Sequence, residues 1–117
     1  MEEQMFKVNQ EGDVMVVVLC LDNFIQADNE EFMQSFDKLI EGANKKVVLD
    51  FTGTKYMSSL TLASLVYIQK KVQGQGGQLV FCNVKNRVQE IMAMTNLDKV
   101  FDIVETKAEA MAKLNKK

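Results

Sequence analysis

Three short apolar runs, with helical stripes between them, constrain the fold more than any other feature of the sequence. The runs occupy residues 14–21, 47–51 and 79–82 and are rich in β-branched side chains. Runs that are apolar at nearly every position are typical of strands covered on both faces. Between the first two runs, apolar residues recur at helical spacing over 32–43. Strands that alternate with helices predict a mostly parallel sheet with right-handed crossovers.

The remaining segments complete this pattern. Phe6 and Val8 alternate with polar residues and predict an edge strand, which the turn residues at 11–13 join to the run at 14–21 as an antiparallel hairpin. Further helices are predicted from residue 59 to the glycine-rich turn at 74–77, over 88–95 and over 108–112, with a last strand at 100–104. We therefore expect an α/β fold in a single domain, residues 1–117. It should have a mixed, mostly parallel sheet of four to five strands and about four helices.

Charge and hydropathy exclude two broad classes of protein. The chain has 117 residues and a net charge of −2, without the basic footprint of a nucleic-acid-binding protein. No apolar run approaches the roughly 18 to 20 residues that a membrane span needs. The acidic start at residues 1–4 differs from a secretory signal. We expect a cytoplasmic protein that neither binds nucleic acid nor inserts into a membrane.

The scarcity of reactive side chains argues against catalysis. The sequence contains no histidine, which excludes His-dependent triads and most catalytic zinc sites. Cys20 and Cys82 each lie in an apolar run, so both are expected to be buried strand residues, although a disulfide between them stays open. The glycines at 74–77 lack the Gly-Lys-Ser/Thr of a phosphate-binding loop. We expect no enzymatic activity, no metal and no cofactor.

The junction between residue 56 and residue 62 carries the most informative chemistry. A buried strand ends in a short loop, and the loop opens into a helix through Ser58 and Ser59. Serine is a favoured N-cap, and a helix N-terminus offers positive potential and free N–H donors to an anion. A serine at this place is therefore suited either to cap the helix or to accept a phosphate, and spacing alone favours the cap.

These segments resemble the STAS domain, the fold of bacterial anti-sigma factor antagonists. The family pattern is an apolar strand ending in Asp, then aromatic-Met/Ile-Asp-Ser-Ser/Ala-Gly-Leu, a helix, a Gly-Gly turn and another strand. This chain has Val-Leu-Asp-Phe at 48–51, Tyr-Met-Ser-Ser-Leu-Thr-Leu at 56–62 and Gly-Gly-Gln-Leu-Val at 76–80. Residues 88–101 are similar to the family's later helix, with Asn96 at the place of a glycine. The resemblance covers essentially the whole chain.

The resemblance implies a partner-switching role. In regulatory members, a kinase that is also the anti-sigma factor phosphorylates the junction serine, and the unphosphorylated protein binds that kinase and frees the sigma factor. A PP2C-type phosphatase reverses the modification. By position the phosphoacceptor is Ser59, with Ser58 and Thr61 as fallback acceptors. This chain departs from the pattern at Ser58, Leu60 and Thr61, where the family usually has Asp, a small residue and Gly.

A partner-binding surface is expected around this junction. Phe24 and Ile25 lie in a predicted loop, where they either anchor a partner or pack beneath the first helix. Asp50 is expected to order the loop that follows its strand. The predicted surface comprises Asp22, Asn23, Phe24, Ile25, Lys55, Tyr56, Met57, Ser58, Ser59 and Leu60.

Two alternatives stay open. A receiver domain would use Asp50 as its phosphoacceptor, but it also needs an acidic pair after the first strand, where residues 8–10 are Val-Asn-Gln. A STAS domain can also act without phosphorylation, as a scaffold subunit of a stress-signalling assembly or as an accessory subunit of a lipid-transport ATPase.

Overall fold

One mixed sheet forms the centre of the computed structural model, which describes residues 5–115. The expectation of no export signal was based on residues 1–4, which lie outside the described residues. The strands are β1 Phe6–Glu11, β2 Val14–Leu19, β3 Asn23–Phe24, β4 Lys46–Asp50, β5 Tyr56–Met57, β6 Gln78–Cys82 and β7 Asp102–Ile103. The helices are α1 Asn29–Leu39, α2 Ser59–Gly74, α3 Asn86–Met94 and α4 Lys107–Leu114.

The topology confirms the predicted α/β class. The five-stranded sheet has the order β1-β2-β4-β6-β7, and a separate pair joins β3 to β5. β1 runs antiparallel to β2, with Phe6 opposite Leu19, and all other neighbours in the sheet are parallel. The last strand is shorter than the predicted 100–104, because Phe101 still donates its N–H to the carbonyl of Leu97 in a preceding 3-10 turn.

Strand alternation divides the core between the two faces of the sheet. On one face, Val17, Leu49 and Phe81 pack beneath α1, α2 and α3. On the other face, Val16 and Val48 belong to a smaller cluster that α4 covers. Because both faces are covered, the central strands are apolar at nearly every position. The helical stripe expected over 32–43 ends earlier, since α1 stops at Leu39 and residue 43 is exposed.

The two cysteines occupy different environments, and the expectation that both are buried was wrong for Cys20. β2 ends at Leu19, so Cys20 lies beyond the covered part of the sheet and is exposed. Cys82 ends β6 and is fully buried, and both thiols are free. Burial first, and the nearby carboxylate of Asp50 second, raise the pKa of the Cys82 thiol to about 12.

Two residues allow the backbone to turn where helices α3 and α2 end. Asn96 follows α3 with a φ of +62°, so asparagine adopts the left-handed conformation expected from the family's glycine. Gly77 follows α2, and a Cβ there would lie 2.3 Å from the carbonyl oxygen of Lys45. Only glycine therefore lets the turn after α2 approach the start of β4 this closely.

Candidate functional site

A two-stranded parallel pair brings the two predicted site loops together. β3 pairs with β5, so that Asn23 lies opposite Tyr56 and Phe24 lies opposite Met57. The carbonyl of Asp22 accepts from the N–H groups of Lys55 and Tyr56, at 2.8 and 3.2 Å. No local pattern predicts these strands of two residues, because their pairing joins segments more than thirty positions apart.

The loop between β4 and β5 is fixed at its start by Asp50. Its Oδ1 atom accepts from the backbone N–H and the hydroxyl of Thr52, at 2.9 and 2.6 Å, and from Nδ2 of Asn83 at 3.0 Å. This confirms the expected loop-ordering role. A carboxylate that accepts three hydrogen bonds and is only 7% exposed is held in a structural role, which favours the STAS interpretation over a receiver domain.

A buried threonine ties the same loop to the end of β2. The hydroxyl of Thr54 donates to the carbonyl of Leu21 at 2.8 Å, and Thr54 is fully buried. At the neighbouring Gly53, an added Cβ would lie 3.0 Å from the carbonyl oxygen of Leu19. The loop that presents the helix junction is thus anchored to the sheet at both ends.

Ser58, and not Ser59, caps helix α2. Ser58 has extended backbone angles, and its Oγ accepts from the N–H of Thr61 at 3.2 Å and lies 3.0 Å from the Thr61 hydroxyl. Its own N–H donates to the carbonyl of Phe24 at 2.7 Å, in line with the pairing of β3 and β5. The alternative that Ser59 is only the helix cap is therefore not supported, because Ser58 is the cap.

Ser59 is exposed as the first residue of α2. Across residues 5–115, its hydroxyl has no hydrogen-bond partner. The first turn of α2 carries no acidic side chain, so the positive end of the helix dipole is not neutralised locally. Of the three candidate acceptors, Ser59 is the one that is exposed to solvent, and its place at the N-terminus of α2 favours an anion.

The burial of Thr61 disfavours it as a fallback acceptor. Thr61 is fully buried and its hydroxyl contacts the Ser58 cap, so a kinase has no access to it. Its position also explains the departure from the family's usual glycine, since Thr61 lies inside regular helix, where a β-branched residue is tolerated.

Two residues predicted to bind a partner are core residues instead. Phe24 and Met57 are each fully buried. In strands of two residues successive side chains point to opposite faces, so Asn23 and Tyr56 face outward while their neighbours face the core. The ring of Phe24 lies 4.9 Å from the ring of Phe32 in α1. The expectation that Phe24 anchors a partner is therefore corrected.

The other predicted residues form one exposed surface, which we call the junction surface. Ile25 and Leu60 are 51% and 44% exposed, unusual values for large apolar side chains. Lys55 and Asp22 lie 3.9 Å apart and are well exposed, so their ion pair contributes little to stability. The junction surface comprises Asp22, Asn23, Ile25, Lys55, Ser59 and Leu60 as exposed residues, with Tyr56 and Ser58 half-buried at its edge.

Residues that were not predicted from the sequence also border this surface. Asn29 of α1 donates from Nδ2 to the Ser64 hydroxyl at 3.3 Å, and Ser64 donates to the carbonyl of Leu60 at 3.0 Å. This chain of bonds fixes α1 beside the first turns of α2. Tyr67 is 55% exposed and lies two helical turns beyond Leu60. Its spacing of seven residues from Leu60 could have predicted that both lie on the same face of α2.

Comparison with known proteins identifies the family. The model of the STAS domain matches residues 5–110. The chain belongs to the STAS family. It is 25% identical over 104 residues to a Thermotoga maritima protein named "Putative anti-sigma factor antagonist", covering 87% of this chain and 92% of the relative.

Solved structures show the same fold. An anti-sigma-factor antagonist (STAS) domain protein from Planctomyces limnophilus superposes with a TM-score of 0.87 at 23% identity, covering 95% of this chain and 98% of that one. The anti-sigma factor antagonist SpoIIAA in its unphosphorylated form superposes with a TM-score of 0.74 at 15% identity, over 92% and 94% of the two chains. Within residues 5–115 of this STAS protein, no helix has the length and apolar character to span a membrane.

Proposed function

We propose that this STAS protein is an anti-sigma factor antagonist whose binding is controlled by phosphorylation of Ser59. In this proposal it acts in the cytoplasm and has no enzymatic activity of its own. Its partner is an anti-sigma factor that is also a serine kinase, and a PP2C-type phosphatase restores the unmodified form. The exposed Ser59 on the first residue of α2, flanked by exposed apolar side chains, carries the proposal.

The junction surface has the composition of a small protein interface. Ile25 and Leu60 supply exposed apolar area at the junction, and half-buried Tyr56 adds an aromatic side chain with a polar tip. Such anchors, when enclosed by a partner, provide much of the free energy of an interface. Leu60 replaces the small residue common in the family, so in this chain it supplies an additional apolar contact.

Phosphorylation at Ser59 would weaken that interface through charge. A phosphate adds about −2 charge and three strong acceptor oxygens. The free N–H groups at the start of α2 stabilise the anion while it faces water. Beneath a partner that contacts Ile25 and Leu60, the same anion loses its hydration without gaining a cation, which is costly. We expect the affinity for the unmodified form to exceed that for the phosphorylated form by about 100-fold or more.

A pull-down with four baits tests the proposal. The baits are the wild type, Ser59→Ala, Ser59→Asp and the control Ser35→Asp, and mass spectrometry identifies the retained proteins. Ser35 is an exposed serine of α1 outside the junction surface, so its substitution adds the same charge elsewhere. We expect a kinase-fold anti-sigma factor on every bait except Ser59→Asp. Incubation of that kinase and ATP with the purified protein should add one phosphate, absent from Ser59→Ala.

Two outcomes contradict parts of the proposal. If all four baits retain the same partner, Ser59 does not control binding and the protein is a constitutive adaptor. A stress-signalling assembly or a lipid-transport ATPase among the retained proteins would then identify its scaffold role. If the kinase binds but phosphorylates Ser58, the assignment of the acceptor is wrong while the partner-switching role stands.

A further inference from the structure

The outer edge of the sheet is an exposed feature that lies apart from the junction surface. β1 comes first in the order β1-β2-β4-β6-β7, and within residues 5–115 it pairs with β2 alone. Every residue of β1 except Phe6 is exposed, from Lys7 to Glu11. None of them belongs to the junction surface. The outer edge of this strand is therefore open to a second protein chain.

The hydrogen bonding of the hairpin shows which backbone groups of β1 point outward. The N–H of Cys20 donates to the carbonyl of Met5 at 2.8 Å, which makes these two residues a hydrogen-bonded pair just before β1 begins. Hydrogen-bonded and non-hydrogen-bonded pairs alternate along an antiparallel ladder. The N–H and C=O groups of Phe6, Val8 and Gln10 therefore point away from β2, where they can form a second ladder with another strand.

Two devices that commonly protect a sheet edge, a very short strand and a bulge, are missing from β1. It pairs with β2 in continuous register over six residues, from Phe6 to Glu11. Strands inside sheets are typically about five to six residues long. Val8, in the middle of β1, is also 42% exposed, so a large apolar side chain lies uncovered there. The edge is long and regular enough to pair with a strand of its own length.

The charges of β1 complement those of a second copy of β1. Lys7, Asn9 and Glu11 lie on one face of the strand, because successive side chains alternate between faces. When two copies pair antiparallel about Asn9, Lys7 of each copy lies opposite Glu11 of the other, and Val8 lies opposite Gln10. Opposite charges directly across an antiparallel pair stabilise it. Pairing about Val8 would instead place Lys7 opposite Asn9, so the charges favour the register about Asn9.

Glu11 can accept this second cation although it already has one partner. It forms an ion pair with Lys107 of α4, and both side chains are 41% exposed. An ionised carboxylate has two oxygens and accepts several hydrogen bonds. The neighbouring ion pair of Lys46 with Asp13 involves no residue of β1. Pairing of two copies therefore adds a lysine beside each Glu11 carboxylate.

We propose that β1 pairs with β1 of a second copy of this chain, so that two sheets join into one continuous sheet across a twofold axis at Asn9. The contact is a single strand of six residues on each side, which is small for a protein interface. The dimer is therefore weak, with a dissociation constant of about 10–100 µM. No residue of the junction surface takes part, so this contact is independent of the proposed phosphorylation switch.

Sedimentation equilibrium of the full chain, from about 10 µM to about 1 mM, measures the self-association. Lys7→Glu and Glu11→Lys each place like charges opposite one another when the variant pairs with itself. An equal mixture of these two variants places opposite charges at both positions. The control Lys38→Glu makes the same charge change at an exposed lysine of α1, and far-UV circular dichroism verifies that every variant is folded.

The average mass of the wild type should rise with concentration from that of one chain towards that of two. Lys7→Glu alone and Glu11→Lys alone should each associate about tenfold more weakly. The mixture of the two should associate about as tightly as the wild type. Lys38→Glu and Ser59→Asp should also behave as the wild type does.

Four results would overturn the proposal. The first is a wild type that stays monomeric at the highest concentration. The second is an equal loss of association in Lys7→Glu and Lys38→Glu, which would indicate a nonspecific effect of charge. The third is a mixture that associates no better than its components, which would show that Lys7 and Glu11 do not face each other. The fourth is loss of association in Ser59→Asp, which would place the contact at the junction surface.

Discussion

Replacing Ser58 by alanine should destabilise the protein, whereas the same change at Ser59 should not. Ser58 accepts from the Thr61 N–H and contacts the Thr61 hydroxyl, which is fully buried. Loss of an N-cap typically costs about 0.5–2 kcal/mol, and a buried hydroxyl that loses its partner adds to this. We expect the free energy of unfolding to fall by about 1–2 kcal/mol in Ser58→Ala. For a domain of this size the midpoint temperature should fall by about 4–8 °C.

The matched variants separate capping from other effects. Ser59 is exposed and has no hydrogen-bond partner in the described part of the chain, so Ser59→Ala should change stability by less than about 0.5 kcal/mol. Ser58→Asp should retain most of the stability, because aspartate accepts from the Thr61 N–H and hydroxyl and is itself a favoured N-cap. Aspartate is also the residue that the family usually has there.

Urea denaturation followed by far-UV circular dichroism measures these differences, with thermal melts as a second readout. The m-value should be unchanged among the variants, so that midpoints compare directly. Equal stability of Ser58→Ala and the wild type would refute the capping argument. Destabilisation of Ser59→Ala as large as that of Ser58→Ala would show that the two serines share the role.

Three further predictions concern the buried Phe24 and its exposed neighbour Ile25, the close approach of Gly77 to Lys45, and the thiol of Cys82. Phe24→Ala should lower the free energy of unfolding, measured by urea denaturation, by about 3–5 kcal/mol because Phe24 is fully buried. Ile25→Ala should leave that free energy nearly unchanged and should weaken partner capture in the pull-down. Gly77→Ala should lower the free energy of unfolding by more than about 1 kcal/mol, because the added Cβ would collide with the carbonyl of Lys45. An unchanged free energy of unfolding would contradict that close contact. Because burial raises the pKa of Cys82 to about 12 from an ordinary value of 9.0, stability should be flat below pH 9 and decline as the pH rises towards 12. Cys82→Ala should show a smaller decline, since the raised pKa values of Lys71 and Lys107 also lower stability in this range, and a decline of equal size in both proteins would exclude the thiol as a cause.

The helices and the main strands were predictable because their signals are local. The run at 14–19, the helical stripe that begins at Phe32 and the serine-led start of α2 each depend on periodicity within a few residues. The two-residue pair of β3 and β5 was not predictable, because it exists only through contacts between distant segments. The same pairing explains why Phe24 was wrongly expected to be exposed, since the strand directs its side chain into the core.

The candidate site was located by sequence but refined by structure. The resemblance placed the acceptor at Ser59, with Ser58 and Thr61 as fallbacks, so three hydroxyl side chains were candidates. A helix rotates by about 100° per residue, so neighbouring hydroxyls differ sharply in exposure. Only the folded chain distinguishes a capping Ser58, an exposed Ser59 and a buried Thr61.

Hydrophobic periodicity and turn residues act over short distances, so the α/β class, the order of the main elements and the region of the junction could be read directly from the residues. Which loop side chains are exposed and which hydroxyl caps α2 follow only from the folded chain. Those properties depend on which distant segments pack together. The junction shows this directly: Asn23 lies opposite Tyr56, and Phe24 opposite Met57, only because β3 pairs with β5.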